Sequence, residues 1–191
     1  PLQVVAASAT VPDPVGLASR YLDEPKIVTA GQRRRMLARI VRGRDVDTIR
    51  DTLTCLARAG TRKVLVFCNA RNEVERLAHE LTGRPPFRHA VFAHHGSLAR
   101  NSRLQTEQRF LHAPTAVCFA TCTLELVIDI GDVDLVALTS VPPDVAALMQ
   151  RTGRGGRRTA ANHVVCFAAS AFEESVFRTM LSAQKRGLWF E

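Results

Sequence analysis

The chain reads as an α/β domain built on a parallel sheet. Three observations predict this. Short, wholly apolar runs recur along the chain. Between them lie longer stretches whose apolar residues return every three or four positions. Glycine and proline separate the two kinds of segment. Strands that are apolar on both faces belong in a sheet covered on both sides. Strands alternating with helices imply right-handed crossovers and parallel pairing. The 191 residues suit one domain plus a short extra segment. A chain of this size buries about 70% of the surface its unfolded form exposes.

The elements follow in order. Residues 3–7 read as a buried strand and 8–10 as the turn after it. Asp13 and Pro14 open a short helix over about 15–22, with Asp13 as N-cap. Residues 23–30 form a connector with a short strand at Ile27-Val28. Residues 31–44 hold Arg33, Arg34, Arg35, Arg39, Arg42 and Arg44 among few apolar side chains. They read as a linker or an exposed strand pair, with a solvated charged face as the default. Over 45–58, Val46, Ile49, Leu53 and Leu56 line one face of a helix that Gly60 ends. Strands are expected at 63–68, 89–93, 115–120, 135–139 and 163–168. Helices are expected at 72–81, 98–111, 143–151 and 172–184.

Composition narrows the function. A net charge of +8 and a pI near 10.1 fit an anionic partner such as nucleic acid or nucleotide. Only Lys26, Lys63 and Lys185 are lysines, so the rest of the 26 cations are arginine, a skew that genome composition also produces. Cys55, Cys68, Cys118, Cys122 and Cys166 form no CxxC pair and sit mostly in apolar runs. They read as reduced thiols, consistent with a cytoplasmic protein. No metal site is expected from them, even with His94 and His95 nearby. No apolar run reaches the ~20 residues that span a membrane. No basic-then-apolar signal segment opens the chain. The abrupt apolar start reads as the middle of a strand, as in a piece of a longer protein.

The most informative stretch runs from Gln150 to Arg158: Gln-Arg-Thr-Gly-Arg-Gly-Gly-Arg-Arg. Arg151, Arg154 and Arg157 recur every three residues, a spacing that groups side chains on one side of a helix start or tight turn. Gly153, Gly155 and Gly156 permit close backbone approach. Planar, always-charged forks suit triphosphate oxygens. The strand pattern adds a second region. Ligands of open α/β sheets sit outside the carboxyl ends of the strands, where Cys68-Asn69, His94-His95-Gly96, Thr121-Cys122-Thr123 and Ser140 fall. His95-Gly96-Ser97 reads as a helix opening, with Ser97 as N-cap and free N–H groups for a phosphate.

These segments resemble a known family. The arginine cluster resembles motif VI of superfamily-two helicases, and the run from Ala120 to Asp134 resembles motif V. Val66-Phe67-Cys68-Asn69 is similar to motif IV and Ser8-Ala9-Thr10 to motif III, all in the family's order. The wording at Ala93-His94-His95-Gly96-Ser97-Leu98 and at 124–134 points to the large helicase-related (Lhr) group of DEAD/DEAH-type helicases. The resemblance implies a three-layer RecA-like fold of the P-loop NTPase type. It implies a remnant of a first lobe at 1–30, a linker at 31–44 and a second lobe at 45–191. It places Arg154, Arg157 and Gln150 at the catalytic centre, and Asp129, Gly131 and Arg151 at the nucleotide. It assigns Asn69, Arg71, His95, Gly96, Ser97, Thr121 and Thr123 to nucleic acid. Ser8 and Thr10 would couple nucleotide state to lobe closure. The family places glycine where this chain has Val127, so the motif V turn is either rearranged or independent of that glycine.

One part of the motor is missing from these residues. No GxxxxGK[ST] phosphate loop occurs, because no lysine follows a glycine. The Asp-Glu pair at Asp23-Glu24 leads into Pro25 rather than following an apolar strand. The resemblance therefore implies the second lobe of an ATP-dependent helicase. ATP and Mg²⁺ would be held mainly by the first lobe, with single-stranded DNA or RNA as the other partner. By itself this lobe would not hydrolyse ATP. The rival expectation is a non-catalytic nucleic-acid-binding or adaptor module that lacks the ATPase lobe.

Overall fold

Alternate residues of each strand point to opposite faces, and this assigns the layers. The computed structural model describes residues 5, 13–28, 35–122, 132–156 and 161–186. Their elements are α1 (Pro14–Ala18), β1 (Arg35–Arg42), α2 (Val46–Arg58), β2 (Lys63–Phe67), α3 (Arg71–Leu81), β3 (Val91–His94), α4 (Arg100–His112), β4 (Ala116–Ala120), β5 (Leu135–Leu138), α5 (Val145–Thr152), β6 (Ala161–Ala168) and α6 (Ala171–Arg186). The six strands form one sheet in the order β1-β6-β5-β2-β4-β3, with every pairing parallel. Val64, Val66, Val117, Phe119, Ala137 and Phe167 pack under α2 and α3 through Ile49, Leu53, Val74 and Leu77. Leu65, Phe67, Cys118, Val136, Leu138 and Cys166 pack on the other face with Phe110 of α4, Leu148 of α5 and Phe177 of α6. This is the three-layer α/β architecture expected.

Local chemistry sets the ends. Asp45 caps α2 by accepting from Thr48 N at 2.8 Å and from Thr48 Oγ1 at 2.6 Å. Those bonds hold its carboxyl below the usual carboxylate range. Asp144 caps α5 by accepting from Ala147 N at 2.6 Å. Asp13 caps α1 as expected, but α1 stops at Ala18 rather than near residue 22.

The basic stretch before Asp45 departs from expectation. The anticipated linker at 31–44 contains β1, an eight-residue edge strand paired along its whole length with β6. Its register is set by Met36 and Ile40 on one face and Val41 on the other. Arginines on the open edge disfavour further strand addition. Of the strand and turn expected at 3–10, only Val5 is described, and it is exposed and outside any strand.

Candidate functional site

The sheet separates the expected site residues into two groups. Asn69 follows β2, His95, Gly96 and Ser97 follow β3, and Thr121 follows β4. All stand at the carboxyl edge. Thr121 N donates to His94 O at 3.1 Å, drawing the ends of β3 and β4 together. Arg71 Nη1 donates to Ser97 Oγ at 3.2 Å, joining residues 26 positions apart in sequence. Within the arginine cluster, residues 154–156 stand at the other edge. Gly155 forms a parallel bridge with Val133, just before β5, and Gly156 N donates to Val133 O at 2.8 Å. A five-residue strand is ~17 Å long, so about a strand's length separates the groups.

The His-His-Gly turn differs from its sequence reading. Leu98 N donates to His95 O at 3.1 Å and closes a turn, and α4 begins only at Arg100. Its N-cap is Ala99, with no side-chain cap bond, so Ser97 is not the cap. Ser97 instead accepts from Arg71. The His95 ring is buried at 3% exposure. Its Nε2 lies 3.1 Å from Glu75 Oε1, yet neither ring nitrogen makes a hydrogen bond. Gly96 and Ser97 are exposed and present the turn to solvent. Arg103 Nη1, which sequence spacing does not mark, donates to Gly96 O at 3.2 Å.

Next to it, His94 Nε2 lies 2.8 Å from Glu107 Oε1, and the ring is 1% exposed. A carboxylate only accepts, so Nε2 carries the hydrogen. Burial pulls the His94 pKa down, and the Glu107 bond only partly offsets this, so the ring is neutral at pH 7. Arg103 and His95 disfavour its protonation further. The sign follows: the unfolded histidine takes a proton near its ordinary pKa of 6.5 while the folded one resists. Stability should therefore fall as pH drops below that value. In urea unfolding at about pH 7.5 and about pH 5.5, His94→Gln should shrink the difference between midpoints. An undiminished difference would contradict this account.

The arginine cluster is not a row of equivalent side chains. α5 ends at Thr152 with Gly153 as its C-cap, so the three-residue spacing stops being helical there. Arg151 is 4% exposed and turns inward. Its guanidinium lies 5.7 Å over the Phe67 ring, and Nη1 donates to Asn69 Oδ1 at 2.8 Å. Arg154 lies beyond the helix end and is half-buried, as is Gln150. Gly155 and Gly156 pack closely against the sheet strands, whereas Gly153 abuts only the carbonyls of its own helix. Gly156 has φ of 67°, and a Cβ there would stand 2.3 Å from Asn162 Oδ1. The N–H groups of Arg154, Gly155 and Gly156 all donate to carbonyls. These amides therefore form no backbone cradle for a phosphate. Asp129, Gly131, Thr123, Arg157, Ser8, Thr10 and Val127 lie outside the described residues.

Sequence reasoning missed Arg44. Its Nη1 donates to Thr139 O at 3.2 Å and Ser140 Oγ at 3.1 Å, and lies 3.6 Å from Glu173 Oε1. It belongs to the carboxyl edge, and only the β1–β6 pairing brings it there. Among the described residues no group of three or more His, Cys, Asp or Glu could hold a metal ion. No helix among them is long and apolar enough to cross a membrane.

Residues 45–159, more than half of the chain, match the model of the helicase conserved C-terminal domain. The chain belongs to that family. Within it, the chain is Lhr-like. The ATP-dependent helicase Lhr-Core protein 2 of Thermococcus barophilus is 39% identical over 98 residues, covering 51% of this chain and 11% of that protein. The Lhr-Core helicase of Sulfolobus acidocaldarius is 41% identical over 99 residues, covering 48% of this chain and 11% of that protein. The Mycobacterium smegmatis helicase Lhr, solved with single-stranded DNA and AMP-PNP, superposes with a TM-score of 0.75 at 27% identity. That match covers 94% of this chain and 26% of the Lhr chain. The C-terminal domain of the DEAD-box protein Dbp5 shares the fold, with a TM-score of 0.63 at 19% identity. The helicase C-terminal domain described here thus spans about a tenth of the curated relatives' length.

Proposed function

We propose that this domain is the second RecA-like lobe of an ATP-dependent, Lhr-like helicase, with one edge of its sheet serving ATP and the other a nucleic-acid strand. The observation that carries the reading is the separation of the two groups. Arg154 stands beside the amino end of β5, and Asn69, Arg71, Gly96, Ser97 and Thr121 stand at the carboxyl ends of β2, β3 and β4. A lobe that converts nucleotide state into strand movement needs both surfaces on one rigid body.

The described residues fit ATP as a partner supplied mainly from elsewhere. Arg154 would bring a forked guanidinium to the phosphate oxygens, while the amides around it are occupied. ATP would lie between this lobe and the other and supply the phosphoanhydride whose hydrolysis is coupled to strand movement, and Mg²⁺ would be held by the other lobe. Gln150 and, outside the described residues, Arg157 would complete the face toward the nucleotide. Asp129 and Gly131 would meet the ribose side, and Ser8 and Thr10 would report lobe closure. The strand is single-stranded DNA or RNA, held through its phosphates, with Thr123 next to Thr121. A cytoplasmic setting suits the reduced thiols.

The test is a salt titration of oligonucleotide binding by the full-length protein. Each lost phosphate contact should reduce the log–log salt slope by about 0.7 on a single strand. Arg71→Ala should therefore weaken binding by a similar factor across sequences and flatten the slope by about that amount. Affinity that ignores salt, or a slope untouched by Arg71→Ala, sinks the assignment of this edge.

A further inference from the structure

One side chain reaches from the last turn of α5 to the carboxyl edge. Arg151 sits in the last turn of α5, and its carbonyl accepts from Arg154 N at 3.2 Å. Side chains in a helix lean toward its N-terminus, so the guanidinium reaches back across Phe67 to the carboxyl edge. There Nη1 donates to Asn69 Oδ1 at 2.8 Å. Asn69 Nδ2 in turn donates to Val141 O at 2.9 Å. The amide orientation is forced, because a guanidinium only donates and a carbonyl only accepts. Asn69 is exposed and keeps one N–H and one lone pair beyond these bonds. An anionic oxygen of a strand can take that N–H without breaking either bond.

We propose that Arg151 is a positioning residue that ties occupation of the strand edge at Asn69 to the placement of Arg154 at the nucleotide edge. This rests on the functional reading above, and it replaces direct nucleotide contact as the role of Arg151. Burial supports the role. A guanidinium removed from water holds its acceptor more strongly than an exposed one, and its loss leaves Asn69 free to turn. Because Arg154 is the third residue after Arg151, a displacement of the last turn of α5 moves both.

The experiment uses the full-length protein and a fluorescent oligothymidylate, repeated with oligouridylate. Oligonucleotide affinity is measured by anisotropy with and without a non-hydrolysable ATP analogue. The ratio of the two affinities is the coupling factor, and thermodynamics makes it reciprocal. The wild-type factor should fall within roughly 5–150-fold, the ordinary range of such couplings. Arg151→Met fills the same space without donors and should bring the factor to below about twofold. Asn69→Ala, an exposed change that spares the core, should do the same. The double variant should lose nothing more, as expected of two residues acting as one unit. Wild-type coupling that survives both variants overturns the proposal alone. So does a loss of analogue affinity by strand-free Arg151→Met that equals the lost coupling, since that reports direct nucleotide contact. A wild-type protein that binds no oligonucleotide, or shows no coupling, overturns this proposal and the functional reading together.

Discussion

Replacing Arg154 by alanine in the full-length protein should lower ATP turnover by roughly 10³–10⁵, the worth of a transition-state arginine in phosphoryl transfer. Arg154 follows the end of α5 and is held beside the sheet by the Gly155–Val133 bridge, so its Cα is fixed by backbone contacts. The variant should therefore keep its fold and lose chemistry. Arg154→Lys should also fail, because a point charge does not reproduce a bidentate fork. The Michaelis constant should change less than turnover, since the contact strengthens as charge develops. Arg157→Ala should behave like Arg154→Ala, and Arg158→Ala should be mild. Steady-state phosphate release decides the matter. Equal losses in Arg154→Ala and Arg158→Ala, or no loss in either, would remove the finger role from Arg154. The isolated domain should release no phosphate at a meaningful rate.

The largest effect on stability is expected at Phe177. Its ring is fully buried where α6 packs against the sheet, in the cluster with Leu138, Leu148 and Cys166. Truncating a buried phenylalanine costs about 3–5 kcal/mol in lost transfer energy and cavity. Domains of this kind have about 5–15 kcal/mol in total, so Phe177→Ala should be close to unfolding at 25 °C. Phe172 provides the control on the same helix. Five positions earlier it lies on the other side and is 77% exposed. Phe172→Ala should change stability by no more than about 0.5 kcal/mol. Urea unfolding should show the midpoint falling in one variant and holding in the other, at equal slope. Comparable losses in both would mean that α6 does not pack as described.

The interior elements were legible because their signals are local and redundant. The runs at β2, β4 and β5 are apolar on both faces, and only the middle of a covered parallel sheet takes such strands. The spacing of Ile49 and Leu53 marked α2, and both are buried at 1% or less. β1 was legible only as one reading of two, a linker or an exposed strand pair, and not as a strand of the main sheet. An edge strand pairs on one side only, so its arginines need no burial and its apolar residues show no clean period. Ser97 misled for a related reason. N-cap chemistry suits a serine before a helical run, but the turn closed by Leu98 and His95 moves the helix start to Arg100.

By itself the sequence determined the alternation of strands and helices from α2 onward, the layered architecture and the chain's family, because periodicity and motif wording are properties of neighbouring residues. It also put the carboxyl-edge residues on one side, since strand ends in a parallel sheet all point the same way. The tertiary structure alone decided where each arginine stands. Arg151 and Arg154 are three positions apart and chemically identical. One is buried over Phe67 and bonds Asn69 at the carboxyl edge, and the other lies past the helix end at the opposite edge. No spacing rule separates them, because the partner of Arg151 is 82 residues away and meets it only when β2 and α5 pack.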